Sequence, residues 1–137
     1  MKVLVTGGAG YIGSVLVPQL LKKGHDVTIY DRFLWGKAPI LHFAGNPRLE
    51  IVLGDVREKE DLRTLVRESD AVIHLAAIVG YPSCNKDPDL AYSTNVVGTQ
   101  NVADLIENQK LIFASTGSVY GSSEERCHPS GRSGQCE

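Results

Sequence analysis

The 137 residues suffice for one domain with a genuine core and leave no room for a second of ordinary size. A composition 42% hydrophobic and 22% charged is that of a soluble globular chain, and a net charge of −2 with scattered Lys and Arg excludes nucleic acid and anionic membrane as expected partners. The opening apolar run is too short for a signal-peptide core, and nothing approaches transmembrane length. Cys84, Cys127 and Cys136 form no C-x-x-C pair, so free thiols in a reducing cytoplasm are the expected state.

Short β-branched runs alternate with segments of helical period, the pattern of a parallel sheet built from βαβ units. Val3-Leu4-Val5 reads as a first strand apolar on both faces. Ile12, Val15, Leu16 and Leu20 follow at helical spacing up to a stop at Gly24, with Pro18 a local conflict inside the helix. Val27 to Asp31 is the second strand, and Arg32 to Pro47, rich in Gly and Pro, is loop with one short helix. Leu49 to Leu53 is the third strand, and Lys59 to Glu68 a helix with Leu62, Leu65 and Val66 inward. Ala71 to Ala77 is the fourth strand, with His74 packed in it as a core residue. A loop carrying Pro82 and Pro88 leads to a long helix from Asp89 to Asn108, and Leu111 to Ala114 is the fifth strand. From Ser122 to Glu137 there is no Val, Ile, Leu or Phe, so a domain over 1–121 with a loose tail over 122–137 is expected.

Gly8-Ala9-Gly10-Tyr11-Ile12-Gly13 matches G-x-G-x-x-G, and it follows a strand and opens a helix, the context this pattern requires. Gly7 and Gly8 permit a tight turn, Gly10 lets the backbone approach a pyrophosphate, and Gly13 allows close helix packing. The amides of Tyr11 and Ile12 then face the phosphates at the positive end of the helix dipole. Asp31 ends the second strand eighteen residues after Gly13, where a carboxylate accepts hydrogen bonds from ribose hydroxyls and repels a 2′-phosphate. The expected cofactor is therefore NAD rather than NADP, with Arg32 the residue that argues the other way.

The longer string Thr6-Gly7-Gly8-Ala9-Gly10-Tyr11-Ile12-Gly13 resembles that of the extended short-chain dehydrogenase/reductases, especially the nucleotide-sugar epimerases and dehydratases. Four later segments are similar to family motifs in order and spacing: Gly54-Asp55-Val56, Leu75-Ala76-Ala77, Asn95-Val96-Val97-Gly98-Thr99, and Phe113 to Gly121. The resemblance implies a doubly wound parallel sheet of five strands, order 3-2-1-4-5, with NAD across the strands' C-terminal ends. It also implies that Asp55 and Val56 meet the adenine and that Leu75, Ala76 and Ala77 lie beside the cofactor. Asn95 would brace the central strands nearby. Thr116 takes the position of the Ser/Thr that hydrogen-bonds the reacting oxygen, Ile78 to Asp87 face the substrate, and Tyr120 is structural or substrate-lining.

The family's catalytic Tyr and Lys, spaced Y-x-x-x-K, have no counterpart, because no Tyr here is followed by Lys at that spacing. The chain therefore reads as a front part truncated before that motif and inactive alone, its substrate in the full-length family a nucleotide sugar. Glu125, Cys127 and His128 sit in a glycine-rich setting unsuited to a rigid metal or nucleophile site. The long helix is one of two that build the family's four-helix dimer interface, so a homodimer stays open. A non-catalytic NAD-sensing or partner-binding module is the alternative, and a non-folding remnant the third reading.

Overall fold

In the computed structural model, which describes residues 1–120, strand β1 (Lys2–Thr6) sends Val3 and Val5 into one apolar cluster and Leu4 into another. A strand with apolar residues on both faces must be covered on both, and β1 accordingly lies mid-sheet. The other strands are β2 (Asp26–Asp31), β3 (Leu49–Leu53), β4 (Ala71–His74) and β5 (Lys110–Phe113). All pair in parallel in the order β3-β2-β1-β4-β5, as expected, with Val5 opposite Ile29 on one side and Ile73 on the other.

Helix α1 (Tyr11–Lys22) covers one face, adding Val17 and Leu21 to Val3, Val5, Val27, Ile29 and Ile73, while a 3-10 turn at Ala38–Ile40 contributes Ile40. The other face packs Leu4, Tyr30 and Val72 against Leu62 and Val66 of α2 (Lys59–Arg67) and the chain's long helical stretch. That stretch runs as α4 (Pro88–Tyr92), a π-helical segment Ser93–Gly98, and α5 (Thr99–Leu105), which brings in Val102 and Leu105. No helix among the described residues is long and apolar enough to cross a membrane.

Several boundaries depart from the expected ones. β4 stops at His74 rather than Ala77, because β1 turns away at Gly7 and its last link is the Leu75 amide donating to the Thr6 carbonyl at 3.0 Å. Tyr81–Lys86 forms a short helix, α3, where a loop was expected; Pro82 sits in its first turn, where a proline's missing N–H is no loss. The long helix begins at Pro88, capped by Asp87, whose Oδ1 accepts from the Leu90 amide at 2.9 Å, and it ends at Leu105 instead of Asn108. α1 continues through Pro18, so the Ser14 carbonyl forgoes its intrahelical donor. β5 runs Lys110–Phe113, one residue earlier than expected, and all four of its residues are exposed. The expected tail over 122–137, with Glu125, Cys127, His128 and Cys136, lies outside the described residues, as does Gly121.

Candidate functional site

Three glycines of the β1–α1 turn are glycine for different reasons. Gly7 has φ +70°, and a Cβ there would stand 2.6 Å from the Ala76 nitrogen. A Cβ on Gly13 would overlap the backbone of Gly8. Gly10, at φ −78° and ψ −175°, is in ordinary extended conformation, and its Cβ would meet nothing but the Gly7 oxygen at 3.2 Å. The fold itself thus explains Gly7 and Gly13 outright, whereas at Gly10 the single close contact is milder and the bare backbone borders the cleft. α1 starts with no side-chain cap and no acid in its first turn. The amides of Tyr11, Ile12 and Gly13, which a helix cannot satisfy internally, are therefore free to serve an anion at the positive end of the dipole.

This turn forms one wall of a cleft of about 540 Å³ at the C-terminal ends of the strands. Of the residues expected at the cofactor, Gly7, Gly10, Tyr11, Ile12, Gly13, Asp31, Val56, Leu75, Ala76 and Ala77 line it together. Asp31 ends β2 with Oδ2 accepting from the Ala9 amide at 3.0 Å and Oδ1 from the Phe33 amide at 2.7 Å. The carboxylate ties the glycine turn to the next strand, and each oxygen retains capacity for a second donor. Phe33, at φ +55°, turns the following loop so that Leu34, Trp35 and Gly36 border the cleft.

The opposite wall is braced by side chains. Asp55 lies behind the cleft surface: its carboxylate takes Arg57 Nη2 at 2.7 Å, Arg57 Nε at 3.0 Å, the Arg57 amide at 3.0 Å and Arg32 Nε at 3.0 Å. Burial pushes its carboxyl up, but the Arg57 hydrogen bonds and the charges of Arg32 and Arg57 outweigh this and hold it below the usual carboxylate range. Tyr30, fully buried, donates to the Asp55 carbonyl at 3.0 Å, and its ring occupies the space a side chain on Gly54 would need. Burial foremost pushes that phenol up to about 12, so it stays protonated. Asn95 is not at the cleft surface either. It braces the loop after β4 rather than a strand: its Oδ1 accepts from the Ile78 amide at 2.8 Å and its Nδ2 donates to the Ile78 carbonyl at 2.9 Å. One turn and a half on, Asn101 Nδ2 donates to the Val56 and Arg57 carbonyls at 3.1 and 3.0 Å.

His74 joins the two walls. Its Nδ1 is 2.6 Å from the Thr6 hydroxyl and its Nε2 3.0 Å from Thr99 Oγ1, which itself donates to the Asn95 carbonyl at 2.7 Å. Because the Thr99 proton is committed, Nε2 carries the imidazole hydrogen and Nδ1 accepts from Thr6. Burial lowers its pKa to about 4, and the ring is 2% exposed and absent from the cleft, as expected of a core residue. Thr116 is exposed, just before the 3-10 turn Gly117–Tyr120, and outside the cleft lining. Among the described residues no group of acids, histidines and cysteines is arranged to hold a metal.

Sequence reasoning missed Thr94, Trp35 and the bracing by Asn101 and Arg57, while Ile78 and Val79, expected to face the substrate, do line the cleft. Thr94 was within reach, since Thr94, Gly98 and Val102 recur at one helical face and all are buried. Two buried polar atoms among the described residues lack a protein partner, Thr94 Oγ1 and Arg32 Nη1, and both residues line the cleft. Bare glycine backbone, free helix amides and a carboxylate at the end of β2 with acceptor capacity to spare together fit a dinucleotide.

The family model described as the NAD dependent epimerase/dehydratase family matches residues 3–136. The chain belongs to that family. It is 42% identical over 120 residues to a UDP-N-acetyl-alpha-D-glucosaminuronate decarboxylase of Bacillus cytotoxicus, covering 86% of this chain and 37% of that protein. A bifunctional UDP-glucose 4-epimerase and UDP-xylose 4-epimerase of Pisum sativum is 37% identical over 136 residues, 90% of this chain and 39% of that one. Among solved structures, the UDP-glucose-4-epimerase of Stenotrophomonas maltophila with bound NAD and formylated UDP-arabinopyranose superposes with TM-score 0.81 at 32% identity, covering 91% of this chain and 40% of that one. The chain thus spans about two fifths of the length of the relatives it matches.

Proposed function

We propose that residues 1–121 are the NAD-binding domain of an enzyme that acts on a nucleotide sugar, specifically a UDP-sugar, as the relatives' names suggest. Gly10 carries the reading: the fold asks less of it than of Gly7 or Gly13, a Cβ there pressing only on the Gly7 oxygen at 3.2 Å, so its missing side chain is best explained by something that must approach the backbone. The amides of Tyr11, Ile12 and Gly13 would receive the pyrophosphate, and Asp31 the adenosine ribose hydroxyls. Val56 would meet the adenine, with Asp55 behind it bracing that corner through Arg57 and Arg32, and Leu75, Ala76 and Ala77 as the wall beside the dinucleotide. Asn95 holds Ile78, and with it that wall, in place. Bound NAD would supply hydride acceptance and return. Thr116 would hydrogen-bond the reacting oxygen and Ile78 to Asp87 face the sugar. Without a Tyr-x-x-x-Lys pair, this stretch by itself binds cofactor but has no group to move the hydroxyl proton.

The presence of Thr116 favours this reading over a non-catalytic NAD-sensing or partner-binding module, which has no need of that hydroxyl. A reducing cytoplasm and a homodimer through the helix face carrying exposed Tyr92, Val96 and Val97 belong to the same proposal. The test is a thermal melt of the 137-residue chain titrated with NAD and separately with NADP. NAD at a hundredfold excess over Kd should stabilise by about 2.7 kcal/mol, and NADP by less. A cooperative melt indifferent to both would overturn the cofactor assignment, and the absence of any cooperative melt would point to a chain that does not fold alone.

A further inference from the structure

Arg32 is the one cation among the described residues that line the cleft, and it follows directly on Asp31. A free guanidinium at that point would offer its fork of donors to a 2′-phosphate. Here it is not free. Its Nε is 3.0 Å from Asp55 Oδ2, with the two side chains 31% and 15% exposed. Asp55 in turn cannot follow Arg32 toward the cleft, because Arg57 grips both its oxygens and the Arg57 amide holds Oδ1. The neighbouring cation, Lys37, stands over the Phe33 ring at 4.9 Å and does not line the cleft.

From this we infer that Asp55 is a latch on Arg32 and sets the preference for NAD over NADP. The inference rests on the cofactor reading above. With the latch closed, the charge of Arg32 is offset by Asp55 and Asp31 is the uncompensated charge at the ribose end, so a phosphate there meets an anion. With the latch open, Arg32 can turn its donors, Nη1 among them already without a partner, onto that phosphate. A carboxylate one strand away from the ribose acid, behind the cleft surface, thereby controls which dinucleotide fits.

The experiment is calorimetric titration of NAD and NADP into the 137-residue chain and its variants, read as the ratio of the two Kd values. Weaker adenine binding after substitution of Asp55 affects both dinucleotides alike and cancels in that ratio. Asp55→Asn should move the ratio toward NADP by about tenfold, the scale of one charge-assisted hydrogen bond. Arg32→Ala alone should leave it within about twofold, and adding Arg32→Ala to Asp55→Asn should abolish the gain, because coupled neighbours are non-additive. An unmoved ratio in Asp55→Asn, or a gain that survives loss of Arg32, would overturn the latch. If Asp55→Asn does not fold, the single variant decides: a tenfold loss of NADP affinity in Arg32→Ala would show that Arg32 was free all along. A parent chain binding neither dinucleotide would sink the cofactor reading and the latch with it, whereas NAD binding with a fixed ratio would sink the latch alone.

Discussion

The two walls of the cleft are made of different material. The β1–α1 wall is backbone: Gly7 and Gly13 with no room for a side chain, free helix amides, and one carboxylate tying Ala9 and Phe33 together. The facing wall is loop backbone held by side chains, Asn95 on Ile78, Asn101 on Val56 and Arg57, and Arg57 on Asp55. At Gly7 and Gly13 this wall tolerates no added atoms, because a turn cannot retreat from its own strand. A braced wall tolerates change in proportion to the hydrogen bonds removed. The first should fail by overlap and the second by loss of partners.

Substitution of Gly13 by Val should break the first wall outright, since even its Cβ overlaps the Gly8 backbone. A loss on the order of 3 kcal/mol or more is expected, read as a collapse of the denaturation midpoint; a midpoint within experimental error of the parent would refute the overlap argument. Acid should loosen both walls at their shared joint, His74. Above pH 6.5 the imidazole is neutral in both states, and as pH falls the unfolded chain takes up a proton that the native ring refuses until about pH 4. The loss across that window is at most about 3 kcal/mol, and melts from pH 7 to pH 4 on the parent and His74→Gln should show it only in the parent.

Asn95→Ala leaves the amide and carbonyl of buried Ile78 without partners and should cost about 2 kcal/mol. Asn101→Ala, which frees two carbonyls in a half-buried turn, should cost about 1 kcal/mol. Chemical denaturation of the pair ranks them, and the reverse order would mean that the Val56 turn, not the Ile78 loop, carries the braced wall. The smallest stability effect belongs to Gly10→Ala, under about 1 kcal/mol, yet this variant should weaken NAD binding at least tenfold. Equal NAD affinity in Gly10→Ala would remove the main support for the proposed function.

The glycine turn and the acid at the end of β2 were legible because each depends on residues close in sequence, whereas the strand order, which sets β1 beside β4, was legible only through the family resemblance. A G-x-G-x-x-G turn between a strand and a helix admits few geometries. Asp31 is the intermediate case: its place at the strand end was readable, but its grip on the Ala9 amide depends on where β1 and β2 stop relative to one another. β4 and β5 show the limit of such reading. Ala-Val-Ile-His and Lys-Leu-Ile-Phe look equally apolar, yet the first is buried throughout and the second exposed throughout, because burial is conferred by what covers a strand.

By itself, then, the sequence determined a doubly wound parallel sheet with a dinucleotide turn at its centre, since local period and glycine sterics leave little choice. Only the tertiary structure decided that Arg32 is drawn to Asp55, that Asn95 serves Ile78 and that His74 is a neutral bridge between Thr6 and Thr99. Those pairings span up to 68 residues of chain, and hydrogen bonds between distant side chains exist only once the packing of the sheet has set their donors and acceptors within reach.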